Sequence, residues 1–306
     1  MTPSHIKIIQ PSVFLRLGRV SNLPTIWSNA LAGTMLSGAT LNEATANLKL
    51  FWVMLALTAF YVAGMYLNDA FDAGFDAKNR IRRPIPSGEI SRFYVFTIGY
   101  FLLGIGVFLL ARYGNTSLVC GVSLAFVIVL YNIWHKGNPA SPLLMGVCRM
   151  LVYFAAASCA NGGQFGLPLL LGAVALFSHI VGLTYAAKQE AHNQLGQLWP
   201  LMVLALPVLY YAFTVLSPQN DFAGHNMFIG LGLVAALITS NALALRHLLR
   251  PAQLRAVPAA VTQLIATTSI LDALAVYSMG ASISAILFCL AAYVLTRLLQ
   301  TVIAGT

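Results

Sequence analysis

Asn68, Asp69, Asp72 and Asp76, followed by Lys78, Arg80, Arg82 and Arg83, set three carboxylates within eight residues and then four cations within the next six. The whole chain has only eight acidic residues, and three of them stand here. The cluster directly follows an apolar run, Phe51 to Leu67. Charge is costly beside hydrocarbon, so acids gathered at the end of such a run mark a functional site. If a helix continues through them, Asp69, Asp72 and Asp76 fall at i, i+3 and i+7, with Asn68 four residues before Asp72. That spacing puts all four side chains on one face. A row of hard oxygen ligands suits Mg²⁺, which takes one or two carboxylates, keeps some waters and fills its remaining positions with phosphate oxygens. The Lys/Arg run can hold the same phosphates, its arginines as bidentate forks. The plainer reading of the cations alone is the basic loop of a positive-inside topology.

The elements that carry this array belong to a membrane. Of 306 residues, 59% are hydrophobic and 8% charged, against about 25% charged in a soluble globular domain. Apolar runs of membrane length occur at 22–42, 49–68, 93–112, 117–134, 142–160, 167–187, 197–216, 226–249 and 282–304, which predicts an all-α polytopic bundle of about nine transmembrane helices in a single domain, 1–306. The segment 257–279 is apolar but interrupted by Pro258, Thr262, Gln263, Thr267, Thr268 and Asp272. It is read as an extra element, either a tenth span or a helix packed in the interface or against the bundle.

With the N-terminus inside, thirteen of the seventeen lysines and arginines fall on the inner side, and such bias sets orientation. The expected location is a bacterial inner membrane, multi-pass, with a cytoplasmic N-terminus. The net charge of +9 then reflects topology and contact with anionic membrane lipid or diphosphate. No nucleic-acid motif is present. Cys120, Cys148, Cys159 and Cys289 all lie in apolar runs without paired spacing, and read as buried small residues.

The pattern N-D-x-x-D-x-x-x-D followed by R-x-x-R-P-x-x-S-G, from Asn68 to Gly88, resembles the first signature of the UbiA superfamily of intramembrane prenyltransferases. The resemblance implies helices arranged around a central cavity and Mg²⁺-dependent transfer of an isoprenyl group from an isoprenyl diphosphate to a lipid-soluble acceptor. It implies Asn68, Asp69, Asp72 and Asp76 as metal ligands, with Asp72 catalytic, and Arg80, Arg83, Lys136 and Lys188 as diphosphate ligands. The family commonly has a tyrosine and a lysine after its fourth span, matched here by Tyr131 and Lys136, and a polar residue facing the site in its first, matched by Asn29.

The second signature departs from the family pattern. Aspartates are expected four, seven and eight residues beyond Tyr185, where this chain has Gln189, His192 and Asn193; Glu190 is the only acid nearby. The Lys188-Gln189-Glu190 ending is similar to that of the EboC group of bacterial UbiA-like proteins. Either Lys188, Lys136 and the arginines compensate for a lost second metal, or Glu190 and His192 supply a different second site, or ionisation no longer occurs. No dedicated general base stands out, and Glu190 or His192 could serve. Arg149, about one-third into the fifth span, should face the bundle interior, contacting substrate or pairing with a distant acid. Asp272 needs a partner, for which Arg149 and Arg297 are candidates. Two further function classes stay open: a non-catalytic relative that presents a prenyl lipid to partners, and a transporter, against which the clustering of acids at one interface counts.

Overall fold

The computed structural model describes residues 9–160, 162, 164–188, 202–217, 227–248, 256–303 and 305, and among these the only regular elements are helices. They are α1 (Pro11–Leu17), α2 (Leu23–Leu36), α3 (Leu41–Thr45), α4 (Lys49–Asn79), α5 (Arg92–Ala111), α6 (Asn115–Trp134), α7 (Ser141–Ala160), α8 (Leu167–Lys188), α9 (Ala205–Leu216), α10 (Met227–Leu248), α11 (Ala256–Ser278) and α12 (Ile283–Val302). Eight described helices are long and apolar enough to cross a membrane. The chain is an integral multi-pass membrane protein.

One expectation is corrected and one open alternative is decided. The run 22–42 is not one continuous helix. Its helix, α2, has 14 residues and rises about 21 Å, short of the roughly 30 Å of hydrocarbon. Yet it leads from Asn22 beside the end of α12 to Met35 and Gly38 beside the turn that starts α12. Gly38 in the left-handed region (φ 87°) breaks the run, and Thr40 with Glu43 forms a reciprocal capping box that starts α3 afresh. Conversely, 257–279 is a full-length helix, and 83% of its most apolar window is buried, against 28% for α12. A helix apolar on all sides belongs inside. Several of its polar groups, which read as interruptions, are answered by neighbours: Gln263 donates to Ser240 at 2.7 Å and to Tyr293 at 3.0 Å, and Ser240 shares a 2.6 Å bond with Thr267.

Promoting this element to a span changes where the chain ends up. A nine-span count puts the two ends of the bundle's chain on opposite sides. Instead Asn22, at the start of α2, donates to the Gly305 carbonyl at 2.9 Å and accepts from Gln300 of α12 at 3.0 Å. The α12 C-terminus thus lies beside the α2 N-terminus.

Lipid tails are as apolar as leucine, so helix association here rests on close packing and hydrogen bonds. Gly33 of α2 shows the packing. A Cβ there would lie 2.7 Å from the Tyr153 carbonyl of α7, so only glycine permits this approach. Around α2 and α7 the core forms two groups, one filled largely from α4, α5 and α6, the other from α8 to α12.

Candidate functional site

α4 runs unbroken for 31 residues, from Lys49 to Asn79, so the acidic stretch is helical as its spacing suggested. At 100° per residue Asn68, Asp72 and Asp76 form one stripe, while Asp69 sits about 60° round from Asp72. At Arg80 the helix stops (φ −143°). The loop then folds back on itself through bonds from Arg83 N to Arg80 O and from Ser87 N to Arg83 O. That fold returns Arg83 to the helix it has just left. Its guanidinium lies 2.7 Å from Asp69 Oδ1 and 3.3 Å from Asp76 Oδ2, with Arg19 at 3.6 Å from Asp69. Burial pulls the Arg83 pKa below its ordinary value, opposed by the carboxylates of Asp69 and Asp76, and the guanidinium remains a cation. α1 braces the loop through an ion pair between Arg16 and Glu89.

A second set of groups arrives from the end of α6. Asn68 donates to Asn132 at 3.1 Å, and Asn132 donates to the Gly64 carbonyl at 3.3 Å, pinning α6 to α4. Beyond Trp134 the chain turns and brings Lys136 Nζ to 2.9 Å from Asp72 Oδ1 and His135 Nε2 to 3.3 Å from Asp72 Oδ2. Tyr131 stacks on His135 at 5.1 Å, and Lys136 also sits 3.7 Å over the Phe75 ring. From α8, Lys188 donates to the Asn138 carbonyl at 2.5 Å and Tyr185 to the Pro139 carbonyl at 3.0 Å.

These groups ring the mouth of a cavity of about 1020 Å³. Asn68, Asp72, Asp76, Arg80, Arg83, Tyr131, Lys136, Arg149 and Lys188 all line it. Its deeper walls are apolar, with Leu57 and Phe60 from α4, Leu124 and Ile128 from α6 and Val152 from α7. Three expected residues are placed differently. Asp69 is drawn to Arg83 and Arg19, Tyr185 is turned onto the 139 loop, and Asn29 is buried between Asp272 and Arg149. None of the three is part of the cavity wall. Gln189, Glu190 and His192 lie outside the described residues.

Arg19, His135 and Asn132 were missed. Each comes from an element far in sequence from the acids, and only the bent entry to α2 and the end of α6 bring them in. His135 had one available signal, its place beside Lys136.

The cluster fits a hard divalent cation. Asp76 is 1% exposed, and its Oδ1 has no hydrogen-bond partner although the residue lines the cavity. Asp72 is one turn away on the same stripe. Among the described residues no three His, Cys, Asp or Glu side chains gather closely enough to hold a metal alone. Two carboxylates, an amide and ligand oxygens are the set Mg²⁺ accepts.

The UbiA prenyltransferase family model matches residues 23–255. The chain is 24% identical over 245 residues to the digeranylgeranylglyceryl phosphate synthase of Metallosphaera sedula, a match covering 75% of this chain and 84% of that one. It is 32% identical over 130 residues to the enzyme of the same name from Methanothrix thermoacetophila, covering 42% of this chain but only 46% of the relative. In structure it resembles a UbiA homolog from Archaeoglobus fulgidus bound to GPP and Mg²⁺, with a TM-score of 0.57 at 15% identity over 85% of this chain and 99% of that one; at that identity the likeness is one of fold. With the family model covering most of its length, the chain belongs to the UbiA prenyltransferase family.

Proposed function

We propose that this protein transfers an isoprenyl group from an isoprenyl diphosphate to a lipid-soluble acceptor within the membrane. The observation that carries the reading is one cavity with two chemistries: carboxylates and cations interleaved at the mouth, apolar walls behind. A diphosphate head and an isoprenoid tail make the same division. Asp72 and Asp76, with Asn68, would hold Mg²⁺, which when bound helps neutralise the charge of the departing diphosphate. Lys136, Lys188, Arg80 and Arg83 would bind the phosphate oxygens and stabilise charge as it develops there. Asp69 orients Arg83, and Asn132 orients Asn68. The apolar walls keep water from the carbon that loses its bond to oxygen. The lysine and arginine bias supports a cytoplasmic position for this end of the bundle, with a bacterial inner membrane as the matching location.

The departure at Gln189, Glu190 and His192 favours a second reading, a protein that binds a prenyl lipid without turning it over. Purified protein given a panel of isoprenyl diphosphates, with and without Mg²⁺, separates the two. Pyrophosphate release that needs Mg²⁺ and is lost in Asp72→Ala supports transfer. Saturable binding without release supports the second reading. Full turnover in Asp72→Ala removes the assigned metal role.

A further inference from the structure

Beyond the mouth, the same cavity has one cation that diphosphate binding does not use. Arg149 lies eight residues into α7, about 12 Å from that helix's start, deep among apolar walls. Its NH1 donates to Asn29 Oδ1 at 2.6 Å and its NH2 to Thr25 Oγ1 at 3.3 Å, and it sits 6.0 Å from the Tyr61 ring. A guanidinium has five N–H donors, so these contacts leave donors over in a residue that lines the cavity.

Nor is its charge directly cancelled. Among the described residues no ion pair includes Arg149. The acid nearest in the network, Asp272 of α11, is satisfied by neutral donors: Ser28 at 2.5 Å, Asn29 at 2.8 Å to each oxygen, and Tyr153 at 2.6 Å. Asn29 thus has its amide nitrogen on Asp272 and its oxygen on Arg149, fixing the guanidinium by a relay and leaving its charge open to the cavity. An intramembrane arginine without a carboxylate partner is costly and marks a ligand pathway.

A second observation points to the same place. Thr268, one turn before Asp272 on α11, is 0% exposed, lines the cavity and has no partner for its hydroxyl. Thr25 occupies the matching turn before Asn29 on α2. A polar recess thus sits inside an otherwise apolar wall.

Resting on the prenyl-transfer reading, we infer that Arg149 and Thr268 form the acceptor subsite and that the acceptor carries an oxyanion, a carboxylate or a phosphate, which Arg149 grips. Asn29 and Asp272 are positioning residues for Arg149.

The test uses detergent-purified full-length protein and four probes: a hydroxybenzoic acid and its methyl ester, and a glycerol ether phosphate lipid and its dephosphorylated form. Binding of each is measured in wild type, Arg149→Gln, Arg149→Lys and Asp272→Asn, beside binding of inorganic diphosphate with Mg²⁺. At least one acid should bind wild type about tenfold or more tightly than its neutral partner, as expected for a charge-assisted bond. Which pair discriminates names the source of the oxyanion. Arg149→Gln should erase the difference, Arg149→Lys should restore part of it, and Asp272→Asn should narrow it, all with diphosphate binding within twofold of wild type. Equal affinity for acid and neutral partners in wild type, or discrimination intact in Arg149→Gln, overturns the inference. If diphosphate fails to bind wild type while the acids discriminate through Arg149, the head-group reading falls and the anion subsite stands.

Discussion

Lys136 Nζ lies 2.9 Å from Asp72 Oδ1, so a carboxylate assigned to metal is already engaged by a cation assigned to phosphate. Under that assignment the two would exchange partners when Mg²⁺ and diphosphate bind together. Lys136→Ala should raise the KM for isoprenyl diphosphate by about tenfold or more, the weight of one hydrogen bond to a charged group. In the absence of diphosphate the same variant should bind Mg²⁺ more tightly, because Asp72 has lost a competitor. Calorimetric titration of Mg²⁺ checks the second half, and weaker Mg²⁺ binding in the variant would refute the exchange.

Arg83 bridges two carboxylates, Asp69 at 2.7 Å and Asp76 at 3.3 Å, with side-chain exposures of 19%, 9% and 2% respectively. Arg83→Ala strands both acids and should lower stability by about 3 kcal/mol, the low end for breaking a buried pair. Arg83→Lys should recover part of it, since a single nitrogen of Arg83 makes both contacts and one ammonium can stand in its place. The double change Asp69→Asn with Arg83→Gln should regain much of the lost stability while turnover stays low. Unfolding in detergent micelles and pyrophosphate release measure the two separately.

The cavity also measures its tail. Its wall stops at Leu57 on α4, Leu124 on α6 and Val152 on α7, and one turn further Val53, Cys120 and Ala156 are packed in the core. Leu57 lies fifteen positions before Asp72, or about 22 Å along the helix. Metal and diphosphate take up about one turn, leaving about 17 Å. An extended chain advances about 1.2 Å per bond, so an isoprene unit of four bonds needs about 4.7 Å, and about three to four units fit. Competition among diphosphates of graded length should show kcat/KM falling beyond about four units, and Leu124→Ala should move that limit to longer tails. A flat length profile, or a limit unmoved in Leu124→Ala, would exclude this floor.

The acidic stripe on α4 was legible because helical spacing alone puts Asn68, Asp72 and Asp76 on one face, and Lys136 was legible as the lone permanent charge of its loop. Asp69 was harder, since its place at the stripe's edge leaves its partner to the returning loop. α11 was obscured by its own polar groups. Gln263, Thr267 and Asp272 lower the apolar signal of the segment, and only the folded bundle supplies Ser240, Tyr293, Ser28 and Tyr153 to answer them. Asn29 and Asp272 are each an intramembrane polar group in need of a partner, but linear sequence does not pair residues 243 positions apart. The length of α2 turned on Gly38 and the capping box after it, small signals inside a long apolar run.

α2 touches α4, α7, α11 and α12 and buries Ser28 and Asn29 at 0% exposure, and of these neighbours α11 and α12 are made long after it emerges from the ribosome. Asn29 finds its carboxylate only on α11, and lipid cannot satisfy its amide. The burial of α2 is therefore completed only when the C-terminal third of the chain has been made, although α2 is among the first apolar helices to be translated.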